Sequence, residues 1–90
     1  PVVSERPGTS GGAGFLHAQR GRHVLLETLT AFLDAGGSLE ATARALFVHA
    51  NTVRYRLRRV TDISGEVPTD PRGAFVLRLA LALGRLESFR

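Results

Sequence analysis

Asn51, Thr52, Arg54, Tyr55, Arg58 and Arg59 lie close together, in a stretch with no acidic residue between Arg44 and Val60. These residue types suit a nucleic-acid duplex. Arginine reaches phosphates or grips guanine edges bidentately, and asparagine pairs with adenine. Threonine and tyrosine hydroxyls take phosphate or base contacts. Their spacing matters as much as their chemistry. At about 3.6 residues per turn, Val53, Leu57 and Val60 form a narrow apolar stripe that must face a core. The opposite face holds Asn51, Tyr55, Arg58 and Arg59. Thr52 and Arg54 border that face, and Arg56 lies nearer the buried edge. A recognition helix needs this division: one side is held on a partner helix while the other enters the major groove.

The elements that position this face begin at Ser38. The stretch from Ser38 to Val60 reads as two short helices separated by a tight turn. Leu39, Ala43 and Leu46 fall on one helical face. Ser38 suits the N-cap before them, and Glu40 stands in the first turn, where a carboxylate complements the helix dipole. Phe47, Val48 and His49 break the period. A second helix then runs from about Ala50 to Asp62, and Gly65 is expected to cap its C-terminus. His49 is expected to cap the helix start or to touch backbone phosphate. Arg44, on the preceding helix, is placed to touch backbone as well.

Two further helices frame this pair. The upstream one is expected from about His23 to Ala35, with Leu25, Leu26, Leu29, Phe32 and Leu33 on a broad apolar face and Gly36-Gly37 as its end. The downstream one starts at Asp70-Pro71, where Asp caps and Pro fits the first helical position. It is expected to run from Pro71 to about Ser88. Phe75, Val76, Leu77, Leu79, Leu81, Leu83 and Leu86 cover most of its azimuths, with Arg78 and Arg85 on one wet edge. A helix so apolar calls for burial on more than one side. It is either enclosed by the other three helices or it offers a surface from Phe75 to Leu86 for a homodimer or a missing domain. Residues 1–21 read as a disordered lead-in rich in Pro, Gly and Ser, with His17 to Arg22 as a polar connection whose Arg20 and Arg22 add to the basic surface. The folded unit is expected over residues 22–88. A first residue of proline rather than methionine suggests a piece of a longer chain.

The 90 residues are enough for one domain with a modest core. The net charge is +4, and all 12 basic residues are arginine. With a sequence pI near 11.3, the chain favours a polyanionic partner. It has no cysteine, which excludes a disulfide framework and a cysteine metal site. No segment approaches the roughly 18 uninterrupted apolar residues of a membrane span. No secretory signal is visible either, and a cytoplasmic location is the expectation. Catalysis finds no footing. The carboxylates are scattered, and His17, His23 and His49 lie in separate segments without metal-ligand spacing. No serine sits in a nucleophile motif, and Gly11 to Gly14 lack the strand and the Lys-Ser/Thr of a phosphate loop. No enzyme, cofactor or metal is therefore expected. Single-strand readers stack bases on several aromatic platforms, whereas this face offers only Tyr55.

The run from Leu46 to Val60, LFVHANTVRYRLRRV, resembles the LFVHxNTxRYRLxRI signature of a family of bacterial transcriptional regulators. This is the C-terminal helix-turn-helix domain of PucR-type purine-catabolism and CdaR-type sugar-diacid regulators, itself similar to the Fis-type helix-turn-helix. The resemblance extends upstream to Leu25-Leu26-Glu27-Thr28-Leu29 and downstream to Asp70-Pro71 and the Leu-Ala-Leu run, covering about residues 24–86. The signature departs at Ala50, where relatives are expected to carry a larger, often basic residue; that departure puts one phosphate contact near the helix start in doubt. The resemblance implies an all-α, four-helix domain that binds double-stranded DNA. It also implies an N-terminal effector-sensing part outside this chain and dimers that read inverted half-sites, expected about 34 Å apart. Asn51, Tyr55 and Arg58 are best aimed at bases. Thr52, Arg54, Arg59 and His49 are placed to hold phosphates. The alternative is a helical interaction module whose arginine face meets an acidic protein.

Overall fold

The computed structural model describes residues 11–84, with side chains from residue 19 onward. Four helices follow one another: α1 (Gly11–Asp34), α2 (Leu39–Leu46), α3 (Ala50–Ser64) and α4 (Pro71–Ala82). No strand occurs among the described residues, and the fold is an all-α, four-helix domain of the helix-turn-helix type.

Side chains just ahead of α2 and α4 cap their first turns. The Ser38 Oγ accepts the Ala41 N–H at 3.1 Å, starting α2 where the sequence placed its cap. The Asp70 Oδ2 accepts the Gly73 N–H at 3.3 Å, and Pro71 follows at the head of α4. Left-handed glycines follow three of the helices, Gly84 after α4 among them. Gly36 and Gly37 take positive φ after α1, with the Gly37 N–H bonding back to the Phe32 carbonyl and the Gly36 N–H to that of Leu33. Gly65 is left-handed after α3, where its N–H bonds to the Thr61 carbonyl at 2.8 Å.

One core sits between the helices. α1 contributes Leu29, Phe32 and Leu33, α2 contributes Ala43, and α4 contributes Leu77. α3 inserts the expected stripe, with Val53 and Val60 fully buried and Leu57 nearly so. α1 packs against both α2 and α3, and those two pack against each other; α4 attaches mainly to α1. Two buried threonines pair with carbonyls one turn back, Thr28 with Val24 at 2.8 Å and Thr42 with Ser38 at 2.7 Å, so neither leaves a polar atom stranded.

Two boundaries differ widely from the sequence reading. α1 begins at Gly11 rather than near His23, so the His17 to Arg22 segment is helical, as is part of the stretch expected to be a lead-in. Ala18, Gln19, Arg20 and Arg22 are good helix formers, and lengthening an existing helix needs no new nucleus. The ends of the chain, residues 1–10 and 85–90, lie outside the described residues, and Arg85, Leu86 and Ser88 with them. α4 itself stops at Ala82 rather than near Ser88: the Leu83 N–H makes the last helical bond, to Leu79, and Gly84 then turns left-handed with its N–H on the Leu81 carbonyl. It is also less enclosed than its apolar sequence demanded. Leu77 is buried, but Phe75, Leu79 and Leu83 are 61%, 48% and 68% exposed. They form a stripe four residues apart along one face.

Candidate nucleic-acid interface

The candidate interface is built on the turn between α2 and α3. That turn is a helix stop followed at once by a helix start. The Val48 N–H bonds to the Ala43 carbonyl at 3.0 Å and the Phe47 N–H to that of Arg44 at 3.3 Å. This pair of bonds requires a left-handed residue between them, usually glycine. Here Phe47 fills that place at φ 58°, with its side chain 94% exposed. Val48 tucks against the core. His49 then caps α3: its Nδ1 accepts the Asn51 N–H at 3.0 Å. The imidazole acceptor satisfies one of the free N–H groups at the helix start.

From that start, α3 presents two sides. The buried seam of Val53, Leu57 and Val60 fixes its rotation. Asn51, Arg54, Tyr55, Arg58 and Arg59 are exposed, and Thr52 is half-buried at the border. Asn51 and Arg54 are joined, the Arg54 Nη1 donating to the Asn51 Oδ1 at 2.6 Å. Arg59 lies 3.6 Å from Asp62, one turn on, in a half-exposed pair that contributes little to stability and leaves the guanidinium exchangeable. Arg44 is exposed in the last turn of α2. His49, Asn51 and Arg54 are thus linked in one chain of contacts at the head of α3, and Tyr55, Arg58 and Arg59 continue the same exposed surface. Arg44 sits apart, on α2.

Arg56 belongs elsewhere. It reaches back to α1, where its Nη1 donates to the Thr28 Oγ1 at 3.3 Å. Its charge helps to hold α3 on α1. The sequence marked it only as nearer the buried edge; its partner lies 28 residues away, beyond any local spacing rule. Two more cationic side chains, Arg20 and Arg22, come up beside α3 from the N-terminal half of α1. Their signal was the short basic run before His23.

Among the described residues no group of three His, Cys, Asp or Glu side chains could hold a metal ion. No helix of the described residues is long and apolar enough to cross a membrane. Fold and surface together define a helix-turn-helix domain of the regulatory class. The chain belongs to the PucR C-terminal helix-turn-helix domain family, whose model matches residues 25–83. It is 63% identical over 64 residues to an uncharacterised protein of Mycobacterium tuberculosis, a match covering 71% of this chain and 16% of that one. It is 42% identical over 64 residues to the purine catabolism regulatory protein of Bacillus subtilis, covering 71% of this chain and 12% of the relative. Among solved structures, it resembles the regulator of polyketide synthase expression from Bifidobacterium adolescentis, with a TM-score of 0.63 and 55% identity, over 67% of this chain and 25% of that one. The chain thus corresponds to a small fraction of each relative's length.

Proposed function

We propose that the chain is the DNA-reading part of a PucR- or CdaR-type bacterial transcriptional regulator and that it binds double-stranded DNA sequence-specifically through α3. The observation that carries this reading is the exposed Asn51, Arg54, Tyr55, Arg58 and Arg59 surface, held outward by a buried seam directly after the helix-turn-helix turn. In this reading α3 enters the major groove. Asn51, Tyr55 and Arg58 face base edges, while Thr52, Arg54, Arg59 and His49 hold phosphates. Arg44 touches backbone from α2. Asn51 exchanges its bond to Arg54 for a base, and Arg54 turns to phosphate. No catalytic step, metal or cofactor enters.

Two copies would read inverted half-sites, and the exposed stripe of Phe75, Leu79 and Leu83 supports pairing through α4. An effector-sensing part of the parent protein would act on this domain from outside it, in the cytoplasm. Similarity to a purine catabolism regulator supports that division of labour without fixing the effector.

The test is a selection from randomised duplex DNA at near-physiological salt, followed by binding curves on the enriched site. An enriched motif supports the reading, and its symmetry reports dimer geometry. Arg58→Ala should then cost about 1–3 kcal/mol and relax preference at one base position. Arg59→Ala should weaken all sequences alike and flatten the salt dependence by about one unit. Retention of no duplex even at low salt would refute the proposal and turn attention to an acidic protein as the partner of the arginine face.

A further inference from the structure

A helix about 10–12 Å across fills a major groove about 12 Å wide, so phosphates of the two strands run along both sides of it. Both sides of α3 are furnished. On one, Arg54, Arg58 and Thr61 border a groove shared with Thr69 of the α3–α4 loop. On the other, Tyr55 and Arg59 border a groove whose far wall is the N-terminal half of α1. That wall carries Arg20 and Arg22, and among the described residues no carboxylate lines the groove. The Arg22 Nη2 is already oriented, donating to the Gln19 Oε1 at 3.0 Å. The floor is apolar, with Val24, Leu25 and Ile63. Arg59 keeps Asp62 at 3.6 Å, and the positive charge of Arg20 and Arg22 on the facing wall favours an anion in this open groove.

We propose that this groove is a second phosphate-binding site, in which Arg20 and Arg22 of α1, across the groove from the phosphate-holding Arg59 of α3, hold the DNA strand that flanks the recognition helix, outside the bases it reads. The family match begins at residue 25, so both α1 arginines lie beyond the segment it covers. The site rests on the proposed DNA binding and extends its footprint to one side. Free nucleotide phosphates share this chemistry. The groove's continuity with the exposed arginine surface of α3 favours the polymer, because one strand can run from one to the other.

The experiment compares the full 90-residue chain with Arg20→Gln/Arg22→Gln on two duplexes carrying the same enriched site, one with long flanks and one trimmed to the site. Glutamine keeps helix propensity, so the melting temperature should hold. On the long duplex the double variant should bind roughly tenfold more weakly, with a salt slope lower by about 1.8, from about 0.9 per lost contact. On the trimmed duplex wild type and variant should agree. Arg20→Lys/Arg22→Lys should restore most of the affinity, because a phosphate accepts either cation. Equal binding of wild type and the glutamine variant to the long duplex would overturn the site while leaving α3 as the reader. Loss of both duplexes by wild type would instead remove the DNA-binding reading itself. Binding of inorganic pyrophosphate, lost in the glutamine variant with duplex affinity unchanged, would assign the groove to free phosphate compounds and overturn its place in the DNA footprint.

Discussion

Phe47 is the residue whose chemistry and conformation agree least with its surroundings. A left-handed backbone costs a non-glycine residue roughly 1–2 kcal/mol, and the exposed ring recovers none of that from the core. Glycine there would relieve the strain but add about 0.5–1 kcal/mol of chain entropy to be lost on folding. Phe47→Gly is therefore expected to stabilise the domain by up to about 1.5 kcal/mol, read as a higher melting temperature. A lower one would mean that the ring is packed in solution. The sequence showed that Phe47 interrupts the helical period, but a left-handed phenylalanine has no spacing signature. His49 was more legible. An imidazole directly before a helix start leaves few roles, and the cap was one of the two expected. The Asn51–Arg54 bond joins residues three apart, neighbours on any helix, yet their assignment to base and phosphate did not foretell that they hold each other in the free protein.

At the scale of the helix, α2 runs between the residues its sequence marked, Leu39 and Leu46, because Ser38 and the change of period at Phe47 are strong local signals. α3 starts as expected at Ala50 and continues to Ser64, two residues past the expected end at Asp62, reaching Gly65 before it stops. α1 was harder to read. Glycines early in a segment argue against helix one residue at a time, whereas extension from a packed segment is cooperative and propensity scales do not sum it. The end of α4 was obscured in the opposite way, since leucines on both sides of Gly84 kept the apolar pattern going through the stop. What no pattern revealed is how α4 is seated. Gly73 is buried at its first turn, and a Cβ there would overlap the Val67 backbone of the preceding loop. Gly73→Ala is expected to force the loop and helix apart at a cost of about 1–3 kcal/mol. Chemical denaturation should show the lower midpoint, and a midpoint equal to wild type would mean that the loop yields without resistance. Because the clash is with backbone, no rotamer change relieves it.

For the whole molecule, the question left open by composition was whether three helices could cover the fourth. They do so only in part. Leu77 is covered, while Phe75, Leu79 and Leu83 face outward. A domain of this size has little apolar surface to spare from its core, so the exposed stripe carries the expectation of self-association. Phe75→Glu with Leu79→Glu should leave the melting transition of dilute protein near that of wild type, since neither side chain is buried in the fold. The same pair should abolish any dimer seen by sedimentation at higher concentration. A wild-type chain that stays monomeric throughout that range would remove α4 as the pairing surface of this domain alone.

The polar surface of α3 and the apolar stripe of α4 occupy different helices and share no residue. In the proposed regulator, vocabulary and grammar are therefore separately editable. Substitutions along α3 would change which base pairs are recognised, whereas substitutions along α4 would change how two recognised words are spaced. Descendants of one ancestral domain could then acquire new operators one half-site letter at a time, without having to reinvent the dimer at each step.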